Sequence, residues 1–424
     1  MGILRKIAAK ELFKVTSLNS VSVLLKIGVG LITSKVLAVF VGPSGMALVG
    51  NFRNFITSLE SVSTLGFQNG IVKYVAESKE DLSIINRIIA TIFISLFGLS
   101  FFLSIGLFVF SEYWSAQIFG GNETYFLVFK GLAIALPWYA SSVFLSAVIN
   151  GLGHYKRVIY INIIGNIIGL LASVVLVMYY KTIGAMFAMV LTPSLLFFVS
   201  YYVIHKNINL FHAIRFSHFD VSILKNLSSF SLMALVSSVV GPMVFLAVRN
   251  YVIQAVGINQ AGYWETISRI SSYYLMFVTT ILSIYYLPKL SVAKTKKETK
   301  KVFTDYYKFM LPLFIVGVAI LYFSRFFIIQ ILFTKEFLPV ANLFFWQLLG
   351  DILKVASLIL GYNLLAKKMT TTFILTEISS LLITYFSSIF LVGIYGVEGV
   401  VMAHVFTYLI YLGGLMIIFR KSLL

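Results

Sequence analysis

Ile88-Ile-Ala-Thr-Ile-Phe-Ile-Ser-Leu-Phe-Gly-Leu-Ser-Phe-Phe-Leu-Ser-Ile-Gly-Leu-Phe-Val-Phe-Ser111 runs from Arg87 to Glu112 without an Asp, Glu, Lys or Arg. A helix needs about 20 residues to cross a ~30 Å hydrocarbon core. A helix on the surface of a soluble domain needs a polar face, and this run has none. Comparable uncharged intervals separate Arg157 from Lys181, Lys225 from Arg249, Arg269 from Lys289, Glu377 from Glu398, and Glu398 from Arg420. The repetition defines an all-α polytopic membrane protein.

Composition agrees with this reading. Hydrophobic residues make up 59% of the 424 and charged residues 11%, whereas a soluble domain carries about 25% charge. The mean hydropathy is +0.96. There is no cysteine, which excludes disulfides, thiolate metal sites and a thiol nucleophile. Residues 1–14 lack the apolar core and small-residue cleavage site of a signal peptide. With Arg5, Lys6, Lys10 and Lys14, they read as an interfacial amphipathic helix ahead of the first span. No segment matches a phosphate-cradling P-loop, so an ATP-driven pump would need another subunit. No cofactor or metal is expected.

Twelve spans are predicted at 16–41, 44–75, 84–111, 124–150, 155–180, 182–205, 226–255, 259–288, 302–333, 336–366, 369–394 and 396–419. Turns such as Gly42-Pro43, Gly120-Gly121-Asn122 and Gly257-Ile258-Asn259 separate them. Of the 33 Lys and Arg residues, 23 fall on one set of connections and the terminal segments, while the opposite connections carry Lys181 and Lys335. The positive-inside rule then places both termini in the cytoplasm. The net charge of +18 is a topology signal, not the footprint of nucleic-acid binding. A polar stretch at 206–225 reads as a cytoplasmic linker between an N-terminal six-helix lobe, 1–205, and a C-terminal six-helix lobe, 226–424. Two lobes of like orientation are the arrangement of a parallel transporter repeat, here expected to enclose a central cavity.

Charges inside spans carry the functional signal, because each costs roughly 2.5–3.5 kcal/mol at a helix centre. Span two presents Gly50, Arg53, Asn54, Thr57, Glu60, Ser61, Thr64 and Gln68 as a helical stripe. In lipid such a polar face must look into protein or water. Span eight repeats the device with Glu265, Ser268, Arg269, Ser272, Thr279, Thr280 and Ser283; Glu265 and Arg269, at i and i+4, are spaced to pair. Lys26, Arg249, Gln347, Asp351 and Lys354 are further intramembrane polar residues. Bland alternatives stand beside these. Asp351 and Lys354 form a neutralising pair in one reading, Lys35 snorkels to the interface, and His404 is a hydrogen-bonded packing residue more readily than a proton relay. The aromatic residues are assigned to lipid-facing and interfacial belts.

Lys26, Lys35, Arg53, Arg249, Arg269 and Lys354 outnumber Glu60, Glu265 and Asp351 by three. A low-dielectric cleft of that sign favours an anion, and arginine grips phosphate oxygens bidentately. Lys26, Arg53, Asn54, Arg249, Arg269 and Lys354 are therefore the candidate substrate ligands. Glu60, Glu265 and Asp351 are the candidate ion-coupling carboxylates.

The runs Lys26–Gly45, Gly50-Asn-Phe-Arg-Asn-Phe55, Asn69-Gly-Ile-Val-Lys-Tyr74, Phe230–Leu235, Phe345–Lys354 and Gly361-Tyr362 resemble the Wzx-type flippases of the multidrug/oligosaccharidyl-lipid/polysaccharide exporter superfamily. The likeness runs through nearly the whole chain and is nearest to the enterobacterial-common-antigen type. It implies a two-lobed transporter, not an enzyme, working by alternating access in the bacterial inner membrane. The implied cargo is an undecaprenyl-diphosphate-linked oligosaccharide, an O-antigen or enterobacterial common antigen unit, moved from the cytoplasmic to the periplasmic leaflet. A polysaccharide polymerase and a chain-length regulator are the implied protein partners. The runner-up is a small-molecule exporter of the same superfamily. A membrane polysaccharide polymerase or ligase ranks below it, because the outer loops are short and chemically plain.

Overall fold

The computed structural model describes residues 2–78, 81–205 and 210–423. Among them there is no strand, and ten helices are long and apolar enough to cross a membrane. The principal helices are α1 (Gly2–Phe40), α2 (Gly42–Ser63), α3 (Gln68–Glu77), α4 (Leu82–Val109), α5 (Phe126–Gly151), α6 (Tyr155–His205), α7 (Val221–Leu235), α8 (Gly241–Val256), α9 (Ile258–Ile281), α10 (Leu311–Phe323), α11 (Val340–Ala366), α12 (Thr370–Tyr395) and α13 (Glu398–Ile418). Large apolar side chains such as Phe101, Phe102, Tyr179, Phe323 and Phe386 stand outward on these helices. On a multi-pass membrane protein that is the surface solvated by lipid tails.

Three departures from the expected spans have local causes. The span expected at 44–75 breaks after Ser63, where Leu65 and Gly66 take positive φ values of 52° and 63°. The Gly66 N–H reaches back to the Ser61 carbonyl at 3.2 Å, closing the helix end in the left-handed manner for which glycine is suited, and α3 begins at Gln68. The span expected at 302–333 is likewise interrupted at Ser324. The linker expected at 206–225 ends early, because α7 starts at Val221 with Asp220 accepting the Ser222 N–H at 2.9 Å; residues 206–209 lie outside the described residues.

The ten apolar helices do not count crossings one for one. α6 is 51 residues long, roughly 75 Å at 1.5 Å per residue. Its only non-helical residue is Lys181, at φ 50° and ψ −124°, which falls between the spans expected at 155–180 and 182–205. A β-carbon on Gly165 would meet Leu196, a side chain 31 residues further along, so α6 doubles back at Lys181 as a hairpin. The GxxxG pattern at Gly165 and Gly169 serves that close approach. α2 is 22 residues long but carries the polar stripe, which keeps it out of the apolar set.

By packing, the chain forms two compact units. The first comprises Met1–Val36 and Phe55–Val239, the second Leu37–Asn54 and Val240–Leu424. In the first unit α5 packs on α3, α4 and α6, and α3 and α4 pack on α7. Its core joins Ile71, Val75, Ile89, Phe144, Val148 and Leu227. Asp81 caps α4 by accepting the N–H groups of Ser83 at 2.8 Å and Ile84 at 3.2 Å; these bonds, that of Ile84 foremost, hold its carboxyl below the usual carboxylate range. In the second unit α11 packs on α9, α10 and α13, while α12 packs on α8 and α13. The first half of α2 belongs to this unit and lies against α9. The Pro43 carbonyl sits where a β-carbon on Gly262 would have to be.

Candidate functional site

The second unit encloses its charges in one place. Glu265, on α9, is fully buried and three arginines converge on it. Arg53 from α2 places Nη2 at 2.5 Å from Oε1, Arg249 from α8 places Nη2 at 2.8 Å from Oε2, and Arg269, one turn along α9, places Nη2 at 3.3 Å from Oε1. Three guanidinium groups around one carboxylate leave two positive charges uncompensated. The approach requires glycine at position 50, because a β-carbon there would lie 2.5 Å from Glu265 Oε2. Arg249 stacks its guanidinium over the Trp264 ring, 4.9 Å from the centroid. The Asn51 side chain donates to Asn250 Oδ1 at 2.6 Å, fixing α2 against α8.

Beside this cluster lies a second buried acid. Asp351 on α11 is fully buried. It accepts from the Ser271 hydroxyl at 2.6 Å, the Tyr274 hydroxyl at 2.5 Å and Gln347 Nε2 at 3.2 Å. His404 Nε2 on α13 lies 3.0 Å from Oδ1. Lys354, one turn beyond Asp351, has its ammonium 5.3 Å from the Tyr408 ring centroid. The i, i+3 spacing of Asp351 and Lys354 leaves the two charges close enough to interact, while each has further partners of its own. His404 is hydrogen-bonded, in keeping with the bland reading, but its partner is an ionisable group.

A cavity of about 200 Å³ joins the two clusters; Arg53, Asn54, Arg249, Asp351, Lys354 and His404 are on its wall. Two buried donors here, Asn54 Nδ2 and Arg249 Nε, have no hydrogen-bond partner among the described residues. Buried N–H groups are almost always paired, and these two stand beside a cationic cavity. Arg53 keeps 35% of its side chain exposed, whereas Arg249 is buried. Both arginines line the cavity, Arg53 with part of its side-chain surface open and Arg249 enclosed.

Of the sequence-derived residues, Arg53, Asn54, Arg249, Arg269, Lys354, Glu265 and Asp351 thus share one unit and one site. Lys26 and Glu60 do not. Both fall in the first unit, Lys26 exposed on α1 and Glu60 half-buried, with the Tyr139 hydroxyl as a hydrogen-bond donor to the Glu60 carboxylate. Sequence reasoning missed Ser271 and Tyr274 as Asp351 ligands. It also missed Asn51 and Asn250; Asn250 directly follows Arg249 and Asn51 lies two residues before Arg53, which was the available signal. Tyr274 carried none, being one of 24 tyrosines whose default place is the lipid boundary.

This helical, multi-pass membrane chain, with a charged cavity inside one half, shares its fold with a class of transporters of known structure. The structure superposes on an inward-facing MATE family multidrug resistance transporter of the MOP superfamily with a TM-score of 0.78, covering 94% of each chain at 13% identity. It superposes on a MOP superfamily transporter from Pyrococcus furiosus, described by the reverse polarity of its binding pocket, with a TM-score of 0.69, covering 96% of each chain at 13% identity. Within that class the sequence is more specific. It matches the polysaccharide biosynthesis protein family over residues 36–342, and the chain belongs to that family. It is 30% identical over 414 residues to the lipid III flippases of Escherichia coli strain K12 and Shigella flexneri, covering 97% of this chain and 99% of each of those.

Proposed function

We propose that this protein is a flippase for a polyprenyl-diphosphate-linked oligosaccharide, an O-antigen or enterobacterial common antigen unit, carrying the head group from the cytoplasmic to the periplasmic leaflet. The observation that carries the reading is the cavity of the second unit, where three arginines surround one buried glutamate and two further N–H donors are unpaired. A diphosphate supplies the negative charge and the acceptors this wall lacks. Guanidinium forks suit its oxygens, and the prenyl tail can remain in lipid while the polar head crosses. The 30% identity to proteins named lipid III flippase supports the same cargo class.

In this reading the protein works by alternating access between two six-helix lobes, 1–205 and 226–424, in the bacterial inner membrane with both termini cytoplasmic. Arg53, Asn54, Arg249 and Arg269 receive the diphosphate, with Lys354 adding positive charge; Lys26 is a further candidate cation in the first lobe. Glu60, Glu265 and Asp351 are the carboxylates available for ion coupling. A polysaccharide polymerase and a chain-length regulator would act on the delivered product. A surplus of positive charge disfavours cationic drugs, the cargo of the runner-up exporter reading.

The test is a deletion strain scored for lipid-linked oligosaccharide and surface glycan, paired with purified protein in liposomes. Accumulated precursor, lost glycan and reconstituted flipping are the expected result. A strain with normal surface glycan and heightened drug sensitivity would favour the exporter.

A further inference from the structure

The first unit carries an apolar groove of about 400 Å³ between α4 and α5. Its walls are Phe97, Phe101 and Phe108 from α4 and Ala133, Ile134 and Trp138 from α5. Phe101, Phe108, Ile134 and Trp138 are exposed, so the groove opens toward the lipid tails. The Ser104 hydroxyl, also in the wall, already donates to the Ser100 carbonyl at 2.8 Å and offers a ligand no polar handle. From Phe97 to Phe108, α4 rises about 16 Å at 1.5 Å per residue. One leaflet of a ~30 Å hydrocarbon core is about 15 Å deep, so the groove matches a single leaflet.

One end of the groove carries a charge. Lys130 stands on α5 one turn before Ile134, on the same face. Its ammonium lies 5.5 Å from the Phe108 ring centroid and 4.9 Å from that of Phe126. Phe108 is in the last turn of α4 and Phe126 begins α5, which puts the cation at the mouth, where both helices reach the interface. Lys130 is half-buried. Among the described residues no carboxylate forms an ion pair with it, Glu112 and Glu123 included. Snorkelling accounts for a lysine at this depth. It does not account for an apolar groove, one leaflet deep, that ends at that lysine.

We propose that the groove holds one anionic phospholipid, with an acyl chain between α4 and α5 and the phosphate against Lys130. The chain covers the apolar wall, and the phosphate supplies a counter-charge for the ammonium. A zwitterionic head would bring a second cation to a place where no carboxylate pairs with the first. A polyprenyl tail is much longer than one leaflet, which favours an ordinary phospholipid as the occupant. In the orientation proposed above, the site faces the periplasmic leaflet.

Trp138 is a reporter built into the groove, about 12 Å along α5 from Lys130 and so at acyl-chain depth. Replacing Trp114, Trp264 and Trp346 by Phe leaves Trp138 as the sole tryptophan of the full chain. In phosphatidylcholine bilayers, fluorescence quenching by dibrominated phosphatidylglycerol, compared with dibrominated phosphatidylcholine, reads the relative affinity at the groove. The anionic lipid is expected to bind about fivefold more strongly, the contribution of one lysine near an anionic headgroup. Lys130→Gln in the same background should bring the ratio close to one. A ratio near one before that substitution, or a ratio unchanged by it, would overturn the proposal. Relief of the quenching by undecaprenyl phosphate, at a mole fraction far below that of phosphatidylglycerol, would also overturn it and assign the groove to a prenyl chain.

Should the sole-tryptophan chain fail to fold, native mass spectrometry with added phosphatidylglycerol applies to the chain with all its tryptophans. Wild type should retain one phosphatidylglycerol, Lys130→Gln should lose it, and Lys335→Gln, an exposed lysine away from the groove, should keep it. Equal retention by wild type and Lys130→Gln would overturn the proposal.

Discussion

The His404 imidazole rests against the backbone of Gly350 in the space a β-carbon would fill, and from there its Nε2 reaches Asp351 at 3.0 Å. One missing methyl group thus sets the contact between α11 and α13 and the partner of a buried acid. Gly350→Ala should push the ring away and leave Asp351 short of one donor. Overpacking of this kind costs about 1–3 kcal/mol, so a lowered melting temperature in detergent is expected. Gly361→Ala, whose added carbon would meet only the Tyr411 hydroxyl at 3.6 Å, is the control and should be far milder.

Glu265 is the hub of the arginine cluster, and removing its charge strands three guanidinium groups. Breaking a buried ion pair by deleting one partner costs about 3–5 kcal/mol. Glu265→Gln should therefore be strongly destabilised in thermal-shift or detergent size-exclusion measurements. Arg269→Gln combined with it should recover part of that loss, because the pair is coupled. Additive losses would show that Glu265 and Arg269 act independently.

Arg53 is the cluster member with side-chain surface open to the cavity. Charge-assisted hydrogen bonds contribute about 1.5–3 kcal/mol each, so Arg53→Ala should weaken diphosphate binding by roughly ten- to a hundredfold. Arg53→Lys keeps the charge but loses the planar fork and should fall between wild type and alanine. Binding to purified protein, with membrane abundance measured in parallel, separates recognition from folding.

Gradient-driven flipping in vesicles discriminates among the carboxylates. Glu60→Gln and Asp351→Asn should each weaken transport driven by an ion gradient more than they weaken substrate binding. If both variants retain full gradient-driven flipping, neither residue couples the ion.

Orientation can be read chemically, since the chain has no cysteine of its own. Cysteines introduced at Ser17, Lys297 and Ser422 should react only from the cytoplasmic side, and those at Asn122 and Glu398 only from outside. External labelling of Lys297→Cys in intact cells would reverse the proposed topology.

Much of this was legible in one dimension because lipid imposes a simple rule. A segment that crosses hydrocarbon must satisfy its own backbone and shed its charges, so uncharged runs revealed the helices, and residual charges such as Arg53, Arg249, Glu265 and Asp351 announced themselves as exceptions. The break at Lys181 fell where a charged residue separates two apolar runs. The end of α2 at Leu65–Gly66 was less legible, because the helical stripe of Ser61, Thr64 and Gln68 continues through it and only the local backbone turn interrupts the helix.

Partnership lay beyond the sequence. Spacing along one helix paired Glu265 with Arg269, but nothing in it brought Arg53 to Glu265 across 212 positions, or His404 to Asp351 across 53. Helical periodicity fixes which residues share a face; which faces meet depends on the close approaches that Gly50, Gly262 and Gly350 permit between helices far apart in the chain. The sequence alone determined a helical membrane protein with an excess of buried positive charge, because solvation by lipid acts on each segment separately. Only tertiary packing decided that Glu265 collects three of those charges and that His404 stands beside Asp351, because both arrangements depend on contacts between helices that neither helix encodes alone.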